Sequence, residues 1–357
     1  AEAARGGVQS GRRGAGSGDA EGGGFVAARS RPGERQQRPS PLRTRLCREI
    51  NDQLASRVSA EEVAGLCASH ASQLDTVNLV TALHRVAKLQ SRGPGLGGEA
   101  VAALASRVGL ALSAAPHLAT PRSLSNTAWA LAHLLFADGP LMASIAARAI
   151  PSMRHFAAQE LSNTAWSLAT LCIGDAPLLD ALASAAIPRI SQFSAQDIAN
   201  SAWSFAKRHL LHTPLLHSIA AASIRSLPDG IPQNFSNLAW ACAFRGFAHQ
   251  PMLNAISSAA IAKICEASCQ DLANTPWSFA TLRCPNEPLL ASLASSSLAK
   301  IAEFSTQGLS NTAWALAVLE STDGPLMASI AASSIPKMPA FIPQELSSTV
   351  WAFAKLE

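Results

Sequence analysis

The stretch Leu124-Ser125-Asn126-Thr127-Ala128-Trp129-Ala130-Leu131-Ala132-His133-Leu134-Leu135 decides the fold. Leu124, Ala128, Leu131 and Leu135 recur at i, i+4, i+7 and i+11, which places them on one face of a helix. Thr120-Pro121 opens the segment with a capping residue followed by proline at the first helical position. Ser194 with Asp197, and Ser268 with Asp271, read as capping boxes at the same place in later copies. Pro232 and Pro343 stand where Pro121 stands. This element, helix A, spans about 16 residues by pattern.

The stretch is one copy of a repeat. Trp129, Trp166, Trp203, Trp240, Trp277, Trp314 and Trp351 are each 37 residues apart and are the only Trp in the chain. Pro140, Pro177, Pro214, Pro251, Pro288 and Pro325 keep the same period, as do Gln159, Gln196, Gln233, Gln270, Gln307 and Gln344. Asn126, Asn163, Asn200, Asn237, Asn274 and Asn311 form a fourth series, with Ser348 in the seventh place. Four columns in register at a period between 20 and 50 residues signal a solenoid.

The proline column opens a second helix, B, after short turns such as Asp138-Gly139 and Asp323-Gly324. Its apolar positions are Leu141, Met142, Ile145 and Ile150 in the first copy, and Leu178, Leu179, Leu182 and Ile187 in the second. Pro151, Pro188 and Pro336 should stop it in three copies. No segment alternates with period two. The fold class is therefore all-α, a right-handed α-solenoid of 37-residue αα-hairpins in the manner of armadillo and pentatricopeptide superhelices.

Three regions follow. Residues 120–357 hold six full repeats and a seventh cut after its helix A. Residues 42–119 hold an N-terminal cap, with helices around Leu46–Val58 and Glu61–His70, and a degenerate repeat. That repeat has a helix A at Thr76–Leu89, a Gly-rich insertion and a helix B at Glu99–Ser113. Residues 1–41 are expected to be a disordered tail, because the first 40 carry ten Gly, seven Arg and no Lys. That composition fits part of an organelle transit peptide or a flexible leader. The chain begins with Ala, and a lone final helix A suggests truncation at both ends.

Of 357 residues, 48% are apolar and 15% charged, which excludes a wholly disordered protein. Seven Cys in a chain of this length do not make a disulfide framework. No apolar run is long enough to span a membrane. The net charge of +4 is unevenly placed: residues 122–357 carry 13 basic and 14 acidic side chains.

The unit PQxLxNxAWAxAxL, followed by a proline-led second helix every 37 residues, resembles octotricopeptide-type repeats. It is still more similar to the 37-residue heptatricopeptide repeats of organellar proteins that often end in a RAP domain, and to the FAST-kinase-like group. The resemblance covers residues 120–357, and VNLVTALHRVAK at 77–88 resembles the opening repeats of that group. It implies sequence-guided binding of single-stranded organellar RNA, in support of stability, processing, editing or translation. No RAP domain is visible, so no nuclease-like role is carried over.

Each column has a competing structural reading. The Trp column (Trp129 to Trp351) could stack bases, but it lies among Ala and Leu, so packing between repeats is the better reading. The Asn column either bonds neighbouring backbone or reads base edges. The fourth residue after each Trp (His133, Thr170, Lys207, Phe244, Thr281, Val318, Lys355) varies freely, as a one-base-per-repeat reader or a solvent-facing position would. The residue directly after Trp is always Ala or Ser, which leaves room for a ligand beside the Asn. The acids after Gln (Glu160, Asp197, Asp271, Glu345) fit a helix N-terminus.

Enzyme motifs are missing, and neither a cofactor nor a metal is expected; His209, His212 and His217 straddle a helix end and a turn. Cys242 reads as a buried thiol. The candidate RNA-binding residues are the six Asn with His133, Lys207, Arg208, Arg245 and Lys355. The expected partner is single-stranded RNA, organellar mRNA or rRNA in a mitochondrion or plastid, alongside other RNA-processing proteins and without DNA or membrane. The competing reading is an armadillo-like scaffold for proteins or peptides, which also uses Trp and Asn columns. An Asn surface of positive potential favours RNA; Asn amides consumed by neighbouring backbone favour the scaffold.

Overall fold

The computed structural model describes residues 41–90, 95–210 and 212–356. The expectations for the tail and for residues 91–94 of the Gly-rich insertion lie outside them. Among the described residues the structure is helical without strands. Helices α1 (Pro41–Ser56) and α2 (Ala60–Ser69) precede α3 (Thr76–Gln90) and α4 (Gly98–Ala114). Then come α5 (Pro121–His133), α6 (Gly139–Ser152), α7 (Ala158–Thr170), α8 (Ala176–Ala186), α9 (Ala195–Lys207) and α10 (Thr213–Ser226). The array continues with α11 (Pro232–Arg245), α12 (Gln250–Ala262), α13 (Cys269–Thr281), α14 (Glu287–Lys300), α15 (Thr306–Val318), α16 (Gly324–Ser334) and α17 (Pro343–Leu356). Residues Leu42–Glu357 form one unit. Odd-numbered helices from α3 onward are the A layer, and even-numbered helices from α4 are the B layer.

The A helices are shorter than their pattern suggests, at 13 or 14 residues from α5 onward. The first six stop where a residue one or two positions beyond the end turns left-handed. Leu135, Cys172, His209, Gly246, Arg283 and Glu320 all have φ between 52° and 63°, and only one is glycine. The following N–H bonds back five residues, as in Phe136 to the Leu131 carbonyl at 2.9 Å and Cys284 to Phe279 at 2.9 Å. That is the Schellman closure of a helix. The B helices start on caps in register: Asp138, Asp175, His212, His249, Asn286 and Asp323 each accept the N–H three residues on. His212 and His249 accept through Nδ1, at 3.2 Å in both copies.

Two expectations for helix B need correction. Pro188 and Pro336 do end α8 and α16, with a 3-10 segment following. Pro151 instead lies inside α6, one residue before its end. Its position in the last turn removes only one hydrogen bond there. Ile150 is exposed and Ile187 only half-buried; Ala149 and Ala186 point inward in their place.

The A helices pack along their whole lengths against their A neighbours, whereas the B helices meet over shorter stretches. The A layer is therefore the tightly spaced one. Small residues permit this approach. The residue after each Trp in the first six repeats (Ala130, Ser167, Ser204, Ala241, Ser278, Ala315) is buried, so it leaves no room for a ligand. Ser167, Ser204 and Ser278 turn their hydroxyls back onto the Asn163, Asn200 and Asn274 carbonyls. Larger apolar groups fill the A–B seam, among them Phe156, Phe193, Phe304 and Phe341 from the linkers that lead into the next A helix. Where this linker carries Gly230, Phe235 of the following helix fills the space; a Cβ on Gly230 would lie 2.8 Å from its ring.

Polar links tie successive repeats. Asp197 accepts its own cap Ser194 through the backbone N–H and the hydroxyl, and also the Ser162 hydroxyl of the preceding repeat at 2.6 Å. Asp271 does the same with Ser268 and with Ser236 at 2.5 Å. A basic column pins the linkers. Lys263 donates to the Gly230 carbonyl at 2.6 Å, Lys300 to Ala267 at 2.7 Å and Lys337 to Phe304 at 2.5 Å. Arg189 donates to the Phe156 and Arg154 carbonyls in the same register.

One A helix departs from the pattern. Pro276 lies inside α13, where the other repeats carry Ala or Val. It has no N–H to offer the Leu272 carbonyl, and its ring crowds the preceding turn. Pro276→Ala should therefore stabilise the chain by roughly 2 kcal/mol, read as a raised urea midpoint. Burial also sets thiol chemistry. The Cys242 thiol is pushed up to about 12 by burial, while Cys172 and Cys265 are exposed. At pH 8 iodoacetamide should label Cys172 and Cys265 in the folded chain and reach Cys242 only after denaturation, as read by mass spectrometry.

Candidate nucleic-acid interface

Within one A helix, Gln, Asn, Trp and the residue four beyond Trp stand at i, i+4, i+7 and i+11 (Gln159, Asn163, Trp166, Thr170). They make a single stripe along the helix. Stacking the A helices sets these stripes side by side, and a groove runs across them. Three sections of it can be measured. Near the N-terminal end about 350 Å³ is lined by His84, Lys88, Arg122, Asn126, Gln159 and Asn163, among others. About 280 Å³ lies between Gln233, Asn237 and Gln270. The largest section, about 570 Å³, is bounded by Trp203, Trp240, Asn237, Asn274, Gln307 and Asn311, among others.

The Asn column is brought together as one row. All six side chains are half-buried, and among the described residues their amides make no hydrogen bond. Each amide thus has a donor and an acceptor open to the groove. In the first six repeats the Trp rings are half-buried too. Trp203 and Trp240 lie 6.5 Å apart at 40°, and Trp277 and Trp314 lie 6.5 Å apart at 37°. The column therefore both packs and lines the groove. Trp351, in the last A helix, is 45% exposed.

Five of the seven residues four after Trp make contacts with their own helix, while the Thr170 hydroxyl is buried without a partner among the described residues. His133 stacks on Trp129 at 4.7 Å and Phe244 on Trp240 at 4.8 Å. Lys207 sits 4.6 Å over Trp203, and Lys355 sits 5.5 Å over Trp351 and 3.7 Å from Glu320. These residues cover one end of a ring in their own helix. Thr281 bonds the Trp277 carbonyl.

Arg208 and Arg245 are not brought to the Asn row. They occupy the position taken by Leu134, Leu171, Leu282 and Leu319 in other repeats, which packs toward the core. Each guanidinium has a buried Nε without a hydrogen-bond partner. An Arg208 Nη2 lies within 2.9 Å of where a Gly174 Cβ would be, against the preceding A–B turn. The aliphatic stems replace leucine, and the charged end of Arg208 reaches the turn.

The degenerate repeat continues the stripe. Aligning Leu79 with Leu124 puts His84 at the Trp position and Lys88 four beyond it. His84 packs 4.8 Å from the Trp129 ring. Burial, then Lys88, Arg122, Arg85 and His133, lowers its pKa to about 4. In the unfolded chain a histidine titrates near 6.5. The unfolded state thus binds the extra proton first, and this contribution is present above about pH 6.5 and lost as pH falls toward 4. Wild type should lose on the order of 1–2 kcal/mol more than His84→Gln between pH 7 and pH 4.5, a figure reduced for partial exposure. Parallel urea titrations of the two proteins measure it.

The sequence reading missed the basic pins. Arg189, Lys263, Lys300 and Lys337 recur at multiples of 37 residues, a visible column whose backbone acceptors were not. Their charge is spent on linker carbonyls, which leaves few cations along the groove. Among the described residues no group of three His, Cys, Asp or Glu could hold a metal ion. No described helix is long and apolar enough to cross a membrane.

Comparison with known proteins adds one finding. A family described as RNA-editing substrate-binding complex 6 protein matches residues 119–243, from α5 into α11 and roughly a third of the chain. No curated protein matches the chain.

Proposed function

We propose that this chain binds single-stranded RNA along the groove of its A helices and acts, without catalysis of its own, in RNA editing within a mitochondrial assembly. The observation that carries the reading is the row of six Asn amides left open beside half-buried Trp rings. Bases of a single strand offer flat faces for Trp and hydrogen-bonding edges for Asn. The matched family supports the biological setting, since its name is that of a subunit of an RNA-editing substrate-binding complex. That complex is mitochondrial, which favours the mitochondrion over the plastid.

The near-neutral repeats shape the expected binding. With four basic side chains pinned to linkers, few phosphates are neutralised. For single strands each neutralised phosphate contributes about −0.7 to the slope of log K against log salt. A slope between about −1 and −2 corresponds to two or three contacts. Equilibrium binding of a 20-nucleotide single-stranded RNA, its duplex and the matching DNA strand tests the reading. Single-stranded RNA should bind with that shallow slope and outcompete the duplex. Equal affinity for duplex and single strand, or no binding at 50 mM salt, would reject it.

The competing scaffold reading draws on the same scarcity of free cations, because an Asn row can also hold an extended peptide backbone. It predicts co-purifying protein with no RNA after nuclease-free isolation.

A further inference from the structure

The largest measured section of the groove, about 570 Å³, lies where α9, α11, α13 and α15 face one another. The link between repeats is interrupted beside it. Ser162 with Asp197 and Ser236 with Asp271 bridge their interfaces. Between α13 and α15 the equivalent residues are Ala273 and Gly308, so neither hydroxyl nor carboxylate spans the gap. Both residues line the cavity. Pro276 interrupts the same wall three residues further along α13.

What surrounds the cavity is chemically specific. Trp203 and Trp240 supply aromatic faces, and the open amides of Asn237, Asn274 and Asn311 supply a donor and an acceptor each. A volume of this size falls among ligand-binding clefts, about 300–1,000 Å³. A planar ring system with an edge of alternating donors and acceptors is the matching shape. Resting on the RNA-binding reading above, we propose that this cavity receives a single nucleobase of the bound strand, turned out of line with its neighbours. Trp240 packs against the base, and Asn274 bonds its edge.

The protein's own repeats provide the test. Phe193 and Ser194 stand to Asp197 as Phe304 and Ser305 stand to Gly308. A Cβ at Gly308 would meet Phe304 Cδ1 at 3.2 Å and Ser305 Oγ at 3.4 Å, and neighbours of the same kind accommodate Asp197. The double variant Ala273→Ser with Gly308→Asp should install the missing link and narrow the cavity between α13 and α15. A second variant, Asn274→Ala, removes an amide that makes no bond in the fold.

Binding of 12-nucleotide oligouridine and oligoadenine is measured for wild type and both variants, with the urea midpoint of each. The double variant is expected to keep or raise the midpoint, yet bind the strand it prefers about tenfold more weakly. Asn274→Ala should weaken it about fivefold with the midpoint unchanged. Affinities within twofold of wild type for both variants would overturn the pocket and leave RNA binding intact. Failure of wild type to bind either strand at 50 mM salt would overturn RNA binding and the pocket together. If the double variant loses midpoint, Asn274→Ala alone decides.

Discussion

Asp271→Ala is expected to destabilise the chain by about 3 kcal/mol, the largest stability loss among the substitutions considered. Three interactions go at once. The Ser268 backbone N–H and hydroxyl lose their acceptor, at 3.1 and 2.7 Å, and so does the Ser236 hydroxyl at 2.5 Å. Loss of the cap alone is worth about 1 kcal/mol. The rest comes from Ser236, whose buried hydroxyl loses its short bond to a charged acceptor and keeps only the longer one to the Gln233 carbonyl at 3.2 Å. Ser236→Ala in the same background should add little further loss, because the bond that made Ser236 valuable is already gone. A double-mutant cycle read by urea denaturation should give a coupling of about 1–2 kcal/mol between the two residues. Additive effects would mean that the two repeats are not joined there.

The second large effect is functional. Replacing Asn163, Asn200 and Asn237 together by Ala should cost about a hundredfold in affinity for single-stranded RNA. The estimate takes about 1 kcal/mol for each lost hydrogen bond to a base edge. Stability should change little, because the amides bond nothing in the fold and the Asn backbone keeps its helical bonds. A structural ladder of Asn would behave in the opposite way, losing midpoint and leaving RNA affinity alone. The two columns, acid and Asn, thus separate cleanly: one joins repeats and the other faces the groove.

Much of the architecture was legible before any coordinates. Trp, Pro, Gln and Asn at a strict 37-residue period fix the repeat, and Thr120-Pro121 and Ser194 with Asp197 mark where A helices start. The acids after Gln were legible as helix N-terminal residues. Their second role was legible only by comparing columns 35 residues apart. Ser162 and Ser236 precede Asp197 and Asp271 and bond their carboxylates; Ser310 meets only the backbone carbonyl of Glu345 and Ser125 has no partner among the described residues, whereas Ala199 and Ala273 precede Asn234 and Gly308. A hydroxyl is kept where an acid follows and dropped where none does.

Other features leave no such trace. The left-handed residues that end the A helices are Leu, Cys, His, Arg and Glu as well as Gly, types that do not announce positive φ. Nothing in sequence says that Lys207 would lie along a Trp ring, since that depends on rotamer. Arg208 and Arg245 looked like phosphate ligands by charge; their register with a leucine column places their stems in the packed seam instead. The open state of the Asn amides, on which the functional reading depends, could be judged only once the neighbouring backbone was in place.

The most direct test of the central claim is a map of where RNA touches the chain. Single-stranded RNA carrying 4-thiouridine is photocrosslinked to the full protein, and the modified peptides are identified by mass spectrometry. Crosslinks should fall on the A helices, within Ala158–Thr170, Ala195–Lys207, Pro232–Arg245 and Cys269–Thr281, at or beside the Asn and Trp stripe. Crosslinks confined to the B helices or to residues 1–40 would contradict it.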